Sequence, residues 1–573
     1  MSFSAARLIP DWLTKYPLKN LPTDLVAGLV VGFVVVPQSL GYAVLAGLPA
    51  EYGLYSAIVP VLVYAWLGSS SVQAIGPVAI TAIMTASSLH GYADKGAAQY
   101  ALMASLLALM VGVFLFAAGR LKLGWIMQFI SRGVSAGFVS GAAVLIFISQ
   151  LKYITAIPVS GNNIIGYLAS LERNLSHWHP LTLLLGVTML GLMIANRYGS
   201  PWVWQSWLPK SKAIWAERLF PLALLIIAIA LSLTFHWQDK GVATIGAIPQ
   251  GLPKLTLPYL PNFHEILNLL PTAGLMALIA FVSSSSVAST YARLRGEVFD
   301  ANKELTGLGL ANMSGAFFQS FAVAGGFSRT AINVDSGAKS PIASVMTVVI
   351  MVLALVLFSN TLAPLPYALL GATIMASIIG LIDFKTLQAA WQRDRLDAAS
   401  FLAAFFGVLI LGLNSGLIIG LMVSFASLIW QSSKPHVAVV GQLAGTSHFR
   451  NINRHDVITF TNLLLLRIDE SLFFGNSEAV HKWVIQTSRR YPEACEVVLI
   501  MTAVNHIDLT AQEMLTTLNQ ELLANQKRLH FSFIKGPIMD NIHDTPLITD
   551  LSGSVFMSTM EAVETLQHPK PST

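Results

Sequence analysis

The 573-residue chain has one cysteine, Cys495, and only 11% charged residues. A single thiol excludes an internal disulfide and suits a reducing compartment for the segment that carries it. So little charge, against 54% hydrophobic residues and a mean hydropathy of +0.64, excludes an ordinary soluble enzyme and describes a polytopic membrane protein. No glycine-rich phosphate loop is present, so nothing supports ATP-driven pumping. The thirteen histidines fall almost entirely in loops or the C-terminal part. His177 and His179 flank Trp178 without completing a ligand set. No catalytic residue, metal or cofactor is therefore expected. The net charge of +5 sits mostly in short loops, where it sets orientation rather than binding nucleic acid. Residues 1–20 carry no cleavable signal pattern. They read as an amphipathic cytoplasmic lead-in, with Leu8, Ile9, Trp12 and Leu13 at the interface.

What is present is a series of apolar runs long enough to cross a hydrocarbon core, from Leu25 to Trp430. Fourteen segments are expected, some short, centred near Val34, Val61, Thr81, Ala108, Gly141, Thr188, Ile226, Ala280, Leu310, Ala331, Val349, Leu370, Gly407 and Leu421. Basic residues cluster at Lys15 and Lys19, Arg120 and Lys122, Arg197 to Arg218, Arg293 to Lys303 and Lys385 to Arg395. All fall on one side, which is thereby cytoplasmic. An even number of segments returns the tail to that side, in keeping with its free cysteine. The expected organisation is a lead-in at 1–20, a transmembrane domain at 21–432 and a tail domain at 437–570.

The segments divide into seven and seven near the His236–Pro261 connection. An odd number per half gives the halves opposite topology. Each half has a short third segment preceded by a glycine-containing non-helical stretch: Val72–Ala79, then Phe321–Ala331. Paired interrupted segments point to a transporter binding site. The first half-helix is expected to start at Gly76-Pro77, with proline in the first helical position. The second is expected to start near Phe327–Arg329, close after Gly326, with Ser328 as its N-cap. Arg329 is the most informative residue. A charge inside a membrane segment persists where it meets a pathway or a partner. Beside a helix N-terminus it makes an anion site. Pro37 is expected to interrupt the first helix, and Gln38 and Tyr42, four apart, share a face that offers neutral hydrogen bonds. The alternative for Gln38 is a bond to its own backbone. The Ser283–Ser286 run suits close helix packing, and one face of it reaches the substrate. Glu51, Glu297, Asp300, Glu304 and Asp335 lie near loops, where they cap helices or pair with Arg and Lys.

From Asp456 the tail reads strand, strand, helix, strand, helix, strand, a small α/β domain. Strands are expected at Ile458–Ile468, Glu496–Thr502 and Leu529–Ile534, with a helix from Asn476 to Arg489. Thr510 to Glu513 forms a capping box at the start of a second helix, just after Asp508.

In these residues the chain resembles the sulfate permease family of anion transporters, also called solute carrier family 26. The resemblance runs over nearly the whole chain. It rests on Pro37–Ala43, Pro49–Tyr55 and Gly76–Ala79 in the first half. In the second it rests on Asn302–Leu305 with Gly309 and Asn312, and on Gly325–Arg329. The tail resembles the STAS domain that follows the membrane domain in this family. The resemblance implies a seven-plus-seven inverted repeat with core and gate subdomains and elevator-like movement of the core. It further implies a homodimer in the bilayer of a cell inner membrane, with the STAS domain cytoplasmic and open to a protein partner. Carried over by position, Gln38, Tyr42, Val78, Ala79, Phe327, Ser328 and Arg329 surround a small inorganic anion, sulfate by family name. Bicarbonate, chloride and dicarboxylates are the alternatives.

Two positions depart from the pattern. Many bacterial and plant members carry an acid in the eighth segment, linked to proton or sodium coupling; the matching position here is Ser283. That favours exchange or uncoupled flux, or coupling through another group. STAS domains of anti-sigma antagonists commonly show Asp-Ser-Ser; here Asp508-Leu509-Thr510 stands instead, which leaves Thr510 as the regulatory hydroxyl or as a cap. Two rivals remain. A nucleobase permease shares the architecture but needs acidic residues at its site and lacks the tail. A non-transporting scaffold would signal through the tail.

Overall fold

The computed structural model describes residues 10–14, 16–129, 131–159, 161–207, 209–257 and 262–567. Leu8, Ile9 and Lys15 of the lead-in, Pro261 of the connection between halves, and residues 568–570 of the tail lie outside them. Two compact units are present, Met1–Ser424 and Phe425–Thr573.

Each of the fourteen expected centres lies in a helix. The first half comprises segments 1 (Leu21–Leu45), 2 (Glu51–Leu67), 3 (Ala79–Ser88), 4 (Ala97–Arg120), 5 (Arg132–Ser149), 6 (Pro180–Trp207) and 7 (Lys210–Phe235). The second comprises segments 8 (Phe263–Arg295), 9 (Ala301–Ala316), 10 (Phe327–Asp335), 11 (Ile342–Leu357), 12 (Tyr367–Ile378), 13 (Arg395–Leu411) and 14 (Leu413–Ser432). Among the described residues, eight helices, some including flanking turns, are long and apolar enough to cross a membrane. Segments 3 and 10 are short, at 10 and 9 residues, as expected of half-helices.

Packing displays the inverted repeat. Segment 1 lies on 11, and 8 on 4. Segment 5 lies on 13, and 12 on 6. Segment 9 lies on 4, and 2 on 11. Each of these pairs becomes the other when segments 1–7 exchange with 8–14. Segments 4 and 9 approach closely because both present glycine: a methyl on Gly112 would lie 2.8 Å from the Gly309 carbonyl oxygen, and one on Gly309 would lie 2.9 Å from that of Gly112. Small residues are what allow membrane helices such contact.

Two local expectations need correction. Pro37 does not interrupt segment 1, which is one helix from Leu21 to Leu45. One missing N–H is tolerated in a helix whose neighbours support it on all sides, and Val34–Leu45 is buried throughout. Glu304 neither caps a helix nor pairs with a base. It is fully buried and accepts hydrogen bonds from the Tyr64 hydroxyl at 2.7 Å and the Ser69 hydroxyl at 2.5 Å. Asp300 does cap segment 9, and Glu297 pairs with Arg295 at 2.7 Å.

The second unit holds a six-stranded sheet in the order β4-β3-β5-β6-β7-β8. The strands are β3 (Val437–Gln442), β4 (Phe449–Asn451), β5 (Leu463–Ile468), β6 (Glu496–Ile500), β7 (Arg528–Ser532) and β8 (Val555–Phe556). β1 (Ile75–Gly76) and β2 (Ala324–Gly325) belong to the first unit. β5 to β8 run parallel, while β3 is antiparallel to both neighbours. The run Leu463–Leu466 is continuous because both sheet faces are covered. Leu464 and Leu466 face the helices Ser477–Arg490 and Leu509–Ala524; Leu463 and Leu465 face the helix Thr559–Gln567. The expected strand at Ile458–Ile468 is shorter, since Ile458 only bridges to Gln442. The expected capping box is also absent. Asp508 caps the helix, its carboxylate accepting from the Ala511 N–H at 2.9 Å and the Phe474 N–H at 2.8 Å. The two carboxylate oxygens of Asp508 each take one of these backbone donors. Thr510 therefore lies inside the first turn, exposed.

Candidate functional site

Two strands of two residues each form the centre of the first unit. β1 (Ile75–Gly76) pairs antiparallel with β2 (Ala324–Gly325), Ile75 opposite Gly325 and Gly76 opposite Ala324. Each strand leads directly into a half-helix, so the pairing brings the N-termini of segments 3 and 10 together from opposite directions. The junction is cross-linked. Gly326 N–H donates to Ala74 C=O at 3.2 Å. Ala74 N–H donates to the Thr330 hydroxyl at 3.1 Å, and the Asn333 amide donates to Val72 C=O at 2.8 Å.

Segment 3 starts later than the sequence suggested, and segment 10 starts within the expected stretch but with a different cap. Segment 3 begins at Ala79 with Val78 as N-cap, so Pro77 precedes the cap. Gly76 has φ +147°, a value β-carbon-bearing residues rarely adopt. Segment 10 begins at Phe327 with Gly326 as N-cap, and Ser328 is its second helical residue. Neither N-cap supplies a side-chain hydrogen bond. The first N–H groups of both helices thus keep their capacity to bind a ligand, and both positive dipole ends converge.

Arg329 lies between them. It is 3% exposed, and its guanidinium donates to the Pro77 carbonyl oxygen. Among the described residues it takes part in no ion pair. A buried charge without a counter-charge is disfavoured by several kcal/mol, so the pocket is electrostatically unfinished.

The pocket is a cavity of about 770 Å³. Gln38, Tyr42, Val78, Ala79, Ser283, Phe327, Ser328 and Arg329 all line it, as does Gly326. Gly76 and Pro77 stand behind Arg329, a methyl on Gly76 falling 2.6 Å from Arg329 Nη1. The Gln38 amide and Tyr42 hydroxyl have no hydrogen bond to another described residue, so Gln38 does not bond its own backbone. The Phe327 ring lies 6.1 Å from that of Tyr291.

The serine run has a role that composition did not disclose. The Ser284 hydroxyl accepts from Gly325 N–H at 2.7 Å, and the Ser283 hydroxyl donates to Gly325 C=O at 3.3 Å. Segment 8 therefore holds both backbone groups of Gly325 in β2. The cavity also includes residues that sequence reasoning missed, Arg132 and Ser135 on segment 5 and Asp383 and Lys385 after segment 12. Arg132 opening a membrane segment was the available signal. Asp508 and Thr510 belong to the second unit and play no part here.

The geometry is matched by known proteins. Residues 21–404 match the sulfate permease family and residues 454–562 the STAS domain. The chain is 33% identical to a probable sulfate transporter 4.2 of Arabidopsis thaliana over 87% of this chain and 74% of that protein. It is 32% identical to the chloroplastic sulfate transporter 4.1 of the same plant, over 91% and 76%. Its fold follows the murine solute carrier 26 family member A9 anion transporter in the inward-facing state, with TM-score 0.87, 24% identity and coverage of 99% and 96%. The transmembrane domain of a cyanobacterial bicarbonate transporter matches with TM-score 0.59 and 21% identity, over 72% and 98%. With this match over two thirds of its length, the chain is a multi-pass membrane protein and belongs to the sulfate permease family.

Proposed function

We propose that the chain is a secondary transporter of a small inorganic anion, sulfate first, acting by elevator-like movement of a core subdomain. The observation that carries this is Arg329: buried, without a carboxylate partner among the described residues, between two half-helix N-termini that lack side-chain caps. Such a site favours an anion that sheds part of its water. The neutral donors Gln38, Tyr42 and Ser328 complete it. Sulfate comes first because the similar plant proteins are named as sulfate transporters. Bicarbonate remains the leading alternative, since a bicarbonate transporter shares the fold; chloride and dicarboxylates follow.

Elevator movement is supported by where the cavity lies. Segments 1, 3, 8 and 10 line it together with segment 5, the end of segment 12 and Leu417 of segment 14, so two groups of segments meet at the site. We assign 21–432 to transport and 437–570 to a STAS domain that serves assembly or regulation through Asp508 and Thr510. A homodimer in a cell inner membrane, with both termini cytoplasmic, completes the proposal; the one-sided basic loops support that orientation. No enzymatic activity is assigned.

Ser283 supplies no titratable or cation-binding carboxylate, so exchange or uncoupled flux is expected. Uptake of labelled sulfate and bicarbonate into proteoliposomes tests this, with trapped counter-anion or with pH and sodium gradients. Uptake driven by trapped anion alone supports exchange. Strong stimulation by an inward proton or sodium gradient overturns it.

A further inference from the structure

A second cavity, of about 160 Å³, lies where segments 1, 3, 5 and 14 meet. The large cavity reaches Tyr42, Ile80, Val139 and Leu417 on these four segments, and the small one begins at Leu45, Ile83, Leu145 and Leu413. At about 1.5 Å per residue, only roughly 5 to 9 Å of helix separates the two. The wall of the small cavity nearest the large one is apolar: Leu45, Ile83 and Leu145 line it and are 7%, 6% and 0% exposed. The small cavity adjoins the end of segment 5 opposite Arg132.

Its chemistry is one-sided. Lys152 lies in the wall, accompanied by Ser87, His90, Asn162 and Tyr167. No aspartate or glutamate of the described residues belongs to that wall. Lys152 forms no ion pair among the described residues; its ammonium lies 4.7 Å from the Tyr153 ring centroid. Ser149 also borders the cavity, but its hydroxyl is already spent on Ile146 C=O at 2.7 Å.

We propose that this cavity is a second anion site, an antechamber on the far side of the apolar layer. There Lys152 and its neutral neighbours hold a small inorganic anion before it passes Leu45, Ile83 and Leu145. The proposal rests on the transport function proposed for the Arg329 site. The competing role for Lys152 is purely structural, offsetting the carbonyl end of segment 3. That role gives no dependence on a bound anion.

The test uses the full chain with Cys495→Ser and Ser87→Cys, which leaves one thiol at the cavity wall. Membrane-impermeant anionic and cationic methanethiosulfonate reagents are added outside intact cells. The expected result is preference for the anionic reagent, and slower modification in the presence of inorganic sulfate, bicarbonate or chloride. Adding Lys152→Gln should reduce the anionic-to-cationic rate ratio about fivefold, the equivalent of about 1 kcal/mol for one partly solvated charge. It should also abolish anion protection. Labelled-anion uptake by Lys152→Gln should show about a fivefold rise in external KM with kcat unchanged. An unchanged ratio and unchanged protection in Lys152→Gln would overturn the proposal, as would modification only from the opposite face. Asn162→Cys provides the same readout if Ser87→Cys does not fold. Because thiol modification reads occupancy rather than flux, anion protection at Ser87 with undiminished transport by Arg329→Ala would sink the Arg329 reading alone.

Discussion

At the scale of the residue, the site is organised by single backbone groups. Ser284 and Ser283 are neighbours with unequal duties toward Gly325. Ser284→Ala strands a buried N–H, which costs about 1–3 kcal/mol. Ser283→Ala removes one weak donor from a carbonyl. The expected outcome is a clear fall in thermal midpoint and flux for Ser284→Ala and a small change for Ser283→Ala, measured by detergent-phase melting and proteoliposome uptake. Equal effects would contradict this assignment. Arg329, Gln38 and Tyr42 were legible in the sequence because a charge and polar groups stand out in apolar runs. The bonds to Gly325 were not. A serine in a membrane helix is usually a packing residue, and only the register between segment 8 and β2 shows otherwise. Glu304 was misread for a related reason: its hydroxyl partners are remote in sequence, Tyr64 and Ser69.

At the scale of the element, the half-helices depend on their non-helical approaches. Gly76 has a φ of +147° and abuts Arg329. Gly76→Ala combines backbone strain of about 1–3 kcal/mol with displacement of the guanidinium. Near-complete loss of uptake is expected in protein that still runs monodisperse by size exclusion; full uptake would refute the role of this approach. The two short segments were readable from Gly and Pro punctuation, yet the start of segment 3 was placed two or three residues early and the cap of segment 10 two residues late. Neither Pro77 nor Ser328 decides the start, because the pairing of β1 with β2 does, and strand pairing between distant segments leaves no local signature.

The tail offers an element-scale test of its own. Buried His530 accepts from Ser554 N–H at 2.9 Å through Nδ1, so its Nε2–H donates to Glu496 at 2.6 Å. Burial pushes the His530 pKa below its ordinary 6.5, with Glu496 opposing and Arg528 assisting. Burial alone would raise Glu496, but hydrogen bonds from Arg528 and His530 outweigh it and leave its pKa below the usual 4.5. For both groups the unfolded state binds protons more readily. Stability is therefore present above the unfolded values and lost as pH falls, first below about 6.5 for His530. Hydrogen exchange of the full chain, corrected for intrinsic rates, should show Arg528–Ser532 losing protection between about pH 7 and pH 5.5. No loss would contradict the neutral, buried histidine.

At the scale of the whole molecule, the fourteen helices and their division into halves were accessible because apolar runs and basic loops are long-range statistical features. The inverted packing was inferred only from spacing, since the two halves share architecture without a convincing residue-level repeat. In the second unit, β3, β8 and the helices Gly536–Ile542 and Thr559–Gln567 were missed. β8 is a two-residue edge strand with little periodicity, whereas β3 lies inside the sheet but precedes Asp456, where the reading of the tail began. Deleting residues 437–573 should weaken assembly or trafficking while some transport remains, as read by membrane yield and uptake. Complete insensitivity of both would exclude the proposed role of the tail. The most direct test of the central claim is labelled-sulfate uptake into proteoliposomes by the intact chain and by Arg329→Ala at matched reconstitution. Losing a charge-assisted contact predicts a fall of roughly 10- to 100-fold. Unchanged uptake by Arg329→Ala would remove the arginine from the pathway and contradict the account.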